Sequence, residues 1–338
     1  MEIQVEKKLI KNNILNTSFT KLSSTIRNTK RHSTKTIWLL LLAVFIIVSV
    51  VVQEFMRPAN LANILIQMVP LGIVAIGQTI VILGGGIDLS VGAQISLITI
   101  IASSIMGDSA LSILGVTILC LFLGSLFGAL NGLILKYFSV PSLIVTLCSG
   151  FLFQGIAYSM HQTSGGYIPS VFKQIFTASY GFISVPFILF LMLFLIFNYL
   201  LKETRFGRYI YALGGNEEVL INVGINSDTI RMKTYITSGF LCAITGLYIA
   251  ARLKSGSAHY GSDYALLSIT ATVVGGTSMA GGLGSLSGTF AGALMVSMLN
   301  NVLNNIGFKF NLQSAFYKDV IIGIILVVSM FFYRKREL

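Results

Sequence analysis

Ten apolar runs occupy most of this sequence, at positions 37–52, 61–83, 91–106, 111–135, 141–160, 182–201, 235–251, 264–274, 286–303 and 316–333. A helix needs about 20 apolar residues to cross a hydrocarbon core roughly 30 Å thick. The pattern therefore predicts an all-α, polytopic integral membrane protein with about ten transmembrane helices, some of them broken at glycines. Composition agrees: only 10% of the 338 residues are charged, where a soluble domain carries about 25%. The run at 264–274 is too short to span alone and reads as a half-helix.

Charge sets the expected orientation. Eight Lys/Arg precede Trp38, and Arg334, Lys335 and Arg336 close the chain. With the N-terminus in the cytoplasm and sides alternating, 17 basic residues fall inside and six outside, as the positive-inside rule requires. An even span count puts both termini in the cytoplasm. Residues 1–36 are polar and basic with no small-residue cleavage site after them. They read as an uncleaved cytoplasmic tail, followed by a membrane domain at 37–338. The net charge of +11 thus faces lipid and cytosol, and no groove-reading motif points to nucleic acid. Cys120, Cys148 and Cys242 lie in apolar runs without metal spacing and read as buried apolar residues. His161 and His259 fall in outer loops with no ligand-spaced partner, so no metal site is expected.

The most informative stretch is GGGIDLSVGAQISL at 84–97. It sets Gly84, Gly85, Gly86 and the acid Asp88 between two apolar runs. A charge at membrane depth is costly and faces a cavity or a partner. Irregular backbone is tolerated there only where protein or water satisfies it. Two readings stand together: a broken helix at a polar site, with Asp88 lining or gating a path, and Asp88 capping a helix that starts near Leu89, assisted by Ser90. A second glycine-rich break, starting at Gly275 and Gly276, occupies the other half of the chain. Paired breaks point to a substrate path.

Two polar segments are long enough to fold outside lipid. The outer one, 161–181, reads as a short amphipathic element or an ordered loop. The inner one, 202–233, enters on Arg205 and Arg208 and passes a Gly-Gly turn. Asn216 is placed to cap a helix carrying Glu217 and Glu218 on its first turn, and Asp228 to start the next helix. Apolar Val219, Leu220, Val223 and Ile225 suggest a surface that docks a partner.

The motifs GGGIDLSVGA, VPSLIVTL, RFGRYIYALGGNEEVLINVGIN and VVGGTSMAGGLGSLSGT follow one another from about residue 61 to the C-terminus. In that order they resemble the permease subunits of ribose-type sugar ABC importers of bacteria. The resemblance implies a plasma-membrane (inner-membrane) permease that pairs with a second copy or a paralogue around a central path. It also implies cytoplasmic ATPase subunits below, which hold the ATP and Mg, and an extracytoplasmic binding protein that delivers a monosaccharide or polyol. It assigns ATPase docking to Gly214, Gly215, Asn216, Glu217, Glu218, Gly224, Ile225 and Asn226, and Arg205 at the basic entry of the same segment is read with them. It assigns the path to the Gly84–Gly85–Gly86, Asp88 and Ser90 region and to Gly275 and Gly276. A hydroxyl-rich cargo would need polar partners within the spans, for which Gln78, Gln94, Asn131 and Gln154 are candidates. Their alternative is hydrogen bonding between helices. One departure stands out: the family's Tyr-Glu-Leu-Asp is Tyr264-Ala265-Leu266-Leu267 here, without either acid.

No G-x-x-x-x-G-K-[ST] run is present, so no cofactor and no catalytic residue is expected in this chain. The competing class is an ion-coupled secondary transporter of a small polar solute. That mechanism needs titratable groups inside the spans, and Asp88 is the one acid plainly within the apolar core.

Overall fold

The computed structural model describes residues 35–309, apart from 51, 53, 139, 181 and 182. The tail up to Thr34, the run at 316–333 and both termini lie outside the described residues. Helices form at the other nine runs. They are α1 (Lys35–Val50), α2 (Pro58–Leu83), α3 (Val91–Ile105), α4 (Ala110–Phe138), α5 (Ser142–Met160), α7 (Val185–Glu203), α10 (Ser227–Leu253), α11 (Tyr264–Val274) and α12 (Leu286–Lys309). Six of them are long and apolar enough to cross a membrane, and α1, α3 and α11 are shorter. The outer segment folds into α6 (Ser170–Thr177) and a two-strand hairpin, β1 (Ser179–Tyr180) with β2 (Ile183–Ser184). The inner one forms α8 (Arg205–Gly215) and α9 (Glu217–Asn222).

Helix α2 lies at the centre. From Met68 to Leu83 every side is buried, as expected of a helix that is apolar all round. Helices α7, α10, α11 and α12 surround it. The peripheral helices leave large apolar side chains exposed, among them Leu126 on α4, Phe151 on α5 and Leu195 on α7. These side chains suit a lipid surface. Cys148 shares such an exposed face on α5, while Cys120 and Cys242 are buried.

Small residues set the tightest crossing. Gly124, Gly128 and Gly132 recur every four residues on α4 and so form one stripe. A Cβ at Gly124 or Gly128 would run into the backbone carbonyl of Gly239 or Tyr235 on α10. At Gly132 it would stand 2.8 Å from the Met232 Cα. With no hydrophobic drive between helices in lipid, such backbone approach is what holds them together.

Two spans are broken. Helix α3 has 15 residues and α11 has 11, or about 22 and 16 Å at 1.5 Å per residue. Each is preceded by non-helical chain packed against the helices of the bundle. Residues 84–90 turn back from the end of α2 and lead into α3. Residues 254–263 leave the end of α10, fold back along α3, and lead into α11. Ser257 N donates to Thr99 Oγ1 (3.2 Å) and Gly261 N to Ser96 Oγ (2.9 Å), so this segment runs antiparallel to the helix beside it.

Candidate functional site

The first break is held by side chains at every backbone donor from Ile87 to Ser90. Ile87 N donates to Ser142 Oγ (3.1 Å), Leu89 N to Thr146 Oγ1 (3.1 Å) and Ser90 N to Asp88 Oδ1 (3.0 Å). The Gln78 amide, turned to satisfy both its ends, accepts from Asp88 N (3.3 Å) and donates to Asp88 O (3.1 Å). Thr146 Oγ1 also donates toward Ile87 O (3.1 Å). Lipid supplies no partner for such backbone, so the protein must.

Around Asp88 the polar groups form one network. Asp88 Oδ1 accepts from Ser90 Oγ (2.6 Å) and Oδ2 accepts from Ser238 Oγ (3.0 Å) on α10. Ser90 Oγ in turn accepts from Gln94 Nε2 (2.7 Å) and Asn131 Nδ2 (2.9 Å). That hydroxyl therefore uses its one donor and both acceptor sites. Gln78, Asp88, Ser90, Gln94 and Asn131 are all 0% exposed.

The sequence offered these five as path-lining groups. The structure does bring them together, but none reaches the surface of the chain, because their hydrogen bonds go to the unwound backbone and to one another. Helix α3 begins at Val91 rather than near Leu89, and its N-cap residue Ser90 makes no side-chain cap bond. Asp88 stands two residues ahead of the cap. Ser142, Thr146 and Ser238 complete the network and were not anticipated. Their sequence signal is faint: two hydroxyls at i, i+4 on α5 and one on α10.

The glycine breaks of the two halves meet. Gly282 N donates to Leu83 O (2.9 Å), and a Cβ on Gly281 would stand 2.9 Å from the Gly85 Cα. Gly85, Gly281 and Gly282 have φ of 80°, 89° and 69°, a conformation only glycine adopts without strain. Gly214, near the end of α8, is wedged into this junction. Its Cβ would meet the Leu83 carbonyl and lie 2.6 Å from Gly282 N. Tyr211, one turn earlier, donates from its hydroxyl to Gly284 O (3.0 Å). Gly86 packs on the Tyr235 ring, and Gly275 packs against Gly288 of α12. Gly84 and Gly275 close α2 and α11 as C-cap residues, and Gly276 turns with φ 81°.

The α8–α9 corner is rigidly tethered. Asn216 caps α9 by accepting from Glu218 N (2.9 Å). Gly224 N donates to Ile221 O and Ile225 N to Leu220 O, a Schellman ending that takes glycine at φ 78°. Asn226, not Asp228, caps α10, accepting from Thr229 N (3.0 Å). Asp228 lies within the first turn and pairs with Arg231 (3.2 Å), which also holds Glu217 (2.8 Å). Leu220 is buried in the main core and Ile225 is half-buried against it. These two anchor the corner, whereas the sequence had put them on its docking surface. The outward apolar side chains are Val219, Ile221 and Val223, at 41, 59 and 58% exposure. Arg205, Gly215, Asn216, Glu218 and Asn226 are exposed beside them.

A polytopic α-bundle with two broken, mutually packed spans and an apolar-faced corner tied to them has the architecture of a membrane permease. Residues 60–330 match a family described as the permease component of a branched-chain amino acid transport system. The ribose import permease protein RbsC of Haemophilus influenzae is 38% identical over 297 residues, 86% of this chain and 90% of that protein. RbsC of Escherichia coli K12 is 36% identical over 322 residues, 91% and 98% of the two chains. The xylose/arabinose import permease protein XylH of Sulfolobus acidocaldarius is 34% identical over 287 residues, 82% and 78%. No solved structure matches significantly. The chain belongs to this family of transport permease components.

Proposed function

We propose that this chain is the permease subunit of an ATP-driven importer of a monosaccharide, a pentose above all. Likeness to ribose and xylose/arabinose import permeases over most of the chain carries the reading. ATP is hydrolysed by separate cytoplasmic subunits, an extracytoplasmic binding protein hands over the sugar, and a second permease copy or a paralogue closes the path. The membrane is the bacterial inner membrane, and the α8–α9 end faces the cytoplasm with both termini.

In this reading the ATPase seats on α9. Three exposed apolar side chains on a polar, non-spanning corner suit a protein partner. Leu220 and the Arg231–Glu217 pair fix the corner to the bundle, so a push on α9 reaches α8, and through Gly214 both glycine breaks. A bundle with two discrete packings converts such a displacement into opening or closing. The Gly84–Ser90 and Gly275–Gly276 breaks then border the path, and the Asp88 network keeps the first of them in shape.

The test is co-purification with the ATPase subunit. Ile221→Asp places a charge on the docking face while leaving Leu220 and Glu217 untouched. It is expected to lower recovered ATPase at least about tenfold, as loss of a central apolar anchor does, with the membrane fold intact. Undiminished recovery would place the ATPase elsewhere.

A further inference from the structure

Resting on the import reading, we propose that the fold-back segment 254–263 supplies the water-filled, sugar-facing wall of the path, with Tyr158, His259, Ser262 and Asp263 on that wall. The segment lies deep. Gly261 sits beside Ser96 and against Gly92 on α3, nine and 13 residues short of the helix end at Ile105. At about 1.5 Å per residue that is roughly 14–20 Å below the helix end, near the middle of a hydrocarbon core about 30 Å thick. Ala258 is one step shallower, where its carbonyl accepts from Gln154 Nε2 on α5 (2.7 Å).

The segment has two faces. Gly256, Ser257, Ala258 and Gly261 are buried against α3. His259, Ser262 and Asp263 point the other way and are exposed, next to half-exposed Tyr158 of α5. The Tyr158 and His259 rings meet edge to face at 5.4 Å, and Ser262 Oγ donates to His259 O (2.6 Å). A carboxylate, an imidazole and a hydroxyl exposed at this depth suit water or a second protein wall rather than lipid. Ring faces beside hydroxyl, imidazole and carboxylate groups are what a polyhydroxylated cargo needs, and one copy of the chain leaves the face open on its far side. A second copy would complete it. The buried network around Asp88 has no such opening.

Ser262→Cys, in a Cys148→Ser background that removes the exposed native thiol, reads water access directly. In membranes holding the full transporter it is expected to react with a charged, membrane-impermeant thiosulfonate at least tenfold faster than Leu195→Cys on the lipid face of α7. The bulky adduct is expected to cut uptake at least tenfold. His259→Cys is the second position and should behave alike. Reaction with a permeant maleimide alone would mean a lipid or dry protein face and overturn the proposal, as would full uptake by the labelled protein. Labelling does not depend on which solute is carried. Rapid labelling without uptake of any monosaccharide would therefore remove the sugar reading and leave the aqueous wall standing.

Discussion

Gly214→Ala is expected to cut coupled import about tenfold or more, while Gly215→Ala, one residue on, leaves it within about twofold. The added carbon at Gly214 meets the Leu83 carbonyl and lies 2.6 Å from Gly282 N, the two ends of the 2.9 Å bond that joins the breaks of the two halves. At Gly215 the nearest neighbour would be the Gly282 Cα, 4.0 Å away, an ordinary contact. Overpacking of a close backbone approach costs about 1–3 kcal/mol, enough to bias a two-packing equilibrium on the order of tenfold or more. Because α9 is untouched, the Gly214→Ala complex should still bring down its ATPase, and ATP hydrolysis should continue without transport. Equal uptake by both variants would remove the junction from the coupling route. So would loss of the ATPase from the Gly214→Ala complex, which would make the defect one of docking.

Asp88 carries the second large effect. Asp88→Leu leaves Ser90 N–H and the hydroxyls of Ser90 and Ser238 without their acceptor. An unmet buried polar group costs about 1–3 kcal/mol, and the hydroxyls can turn to recover part of it, so a loss of about 3 kcal/mol is expected. Asp88→Asn keeps an acceptor toward Ser90, and the Ser238 hydroxyl can reverse to accept from its amide. A loss near 1 kcal/mol is expected there. Cys120 and Cys242 are buried, so their thiols, in a Cys148→Ser background, report unfolding on heating in detergent. Asp88→Leu as stable as the parent, or Asp88→Asn as damaging as Asp88→Leu, would contradict the network. Wild-type uptake by a well-assembled Asp88→Asn complex would show that its charge plays no part in transport.

Much of the fold was readable from hydropathy alone. Nine of the ten runs are helices in the described residues, and the half-helix at 264–274 appears at those bounds, because lipid leaves the backbone few alternatives. Capping chemistry also read true at Asn216, where a short polar side chain precedes two acids. It misled at Asp228, because Asn226 two residues earlier is an equally good cap and the following helix takes its start there. Val219, Leu220, Val223 and Ile225 all looked outward-facing in a polar segment. Which of them turn inward depends on how α9 lies on α10, a tertiary fact carried by Arg231, 14 residues from its partner Glu217.

The candidate path was harder. Polar residues in apolar spans stand out in sequence, but their number says nothing about whether they face a channel or satisfy unwound backbone. Gln78 does the latter, while Gln94 and Asn131 donate to the Ser90 hydroxyl beside that backbone. The exposed polar wall lay in SGSAHYGSDY at 255–264, which reads as an outer loop. The signal was the half-helix that follows it. A run of 11 residues can reach across only if the chain before it has already entered the membrane.

The most direct measurement is uptake of labelled pentoses and hexoses into proteoliposomes holding this chain, its ATPase and its binding protein, with ion gradients collapsed by ionophores. Sugar import driven by ATP predicts uptake that needs ATP on the α9 side and the loaded binding protein, and that survives the ionophores. Uptake that follows an imposed proton or sodium gradient without ATP would contradict it, as would uptake of a branched-chain amino acid with no monosaccharide taken up.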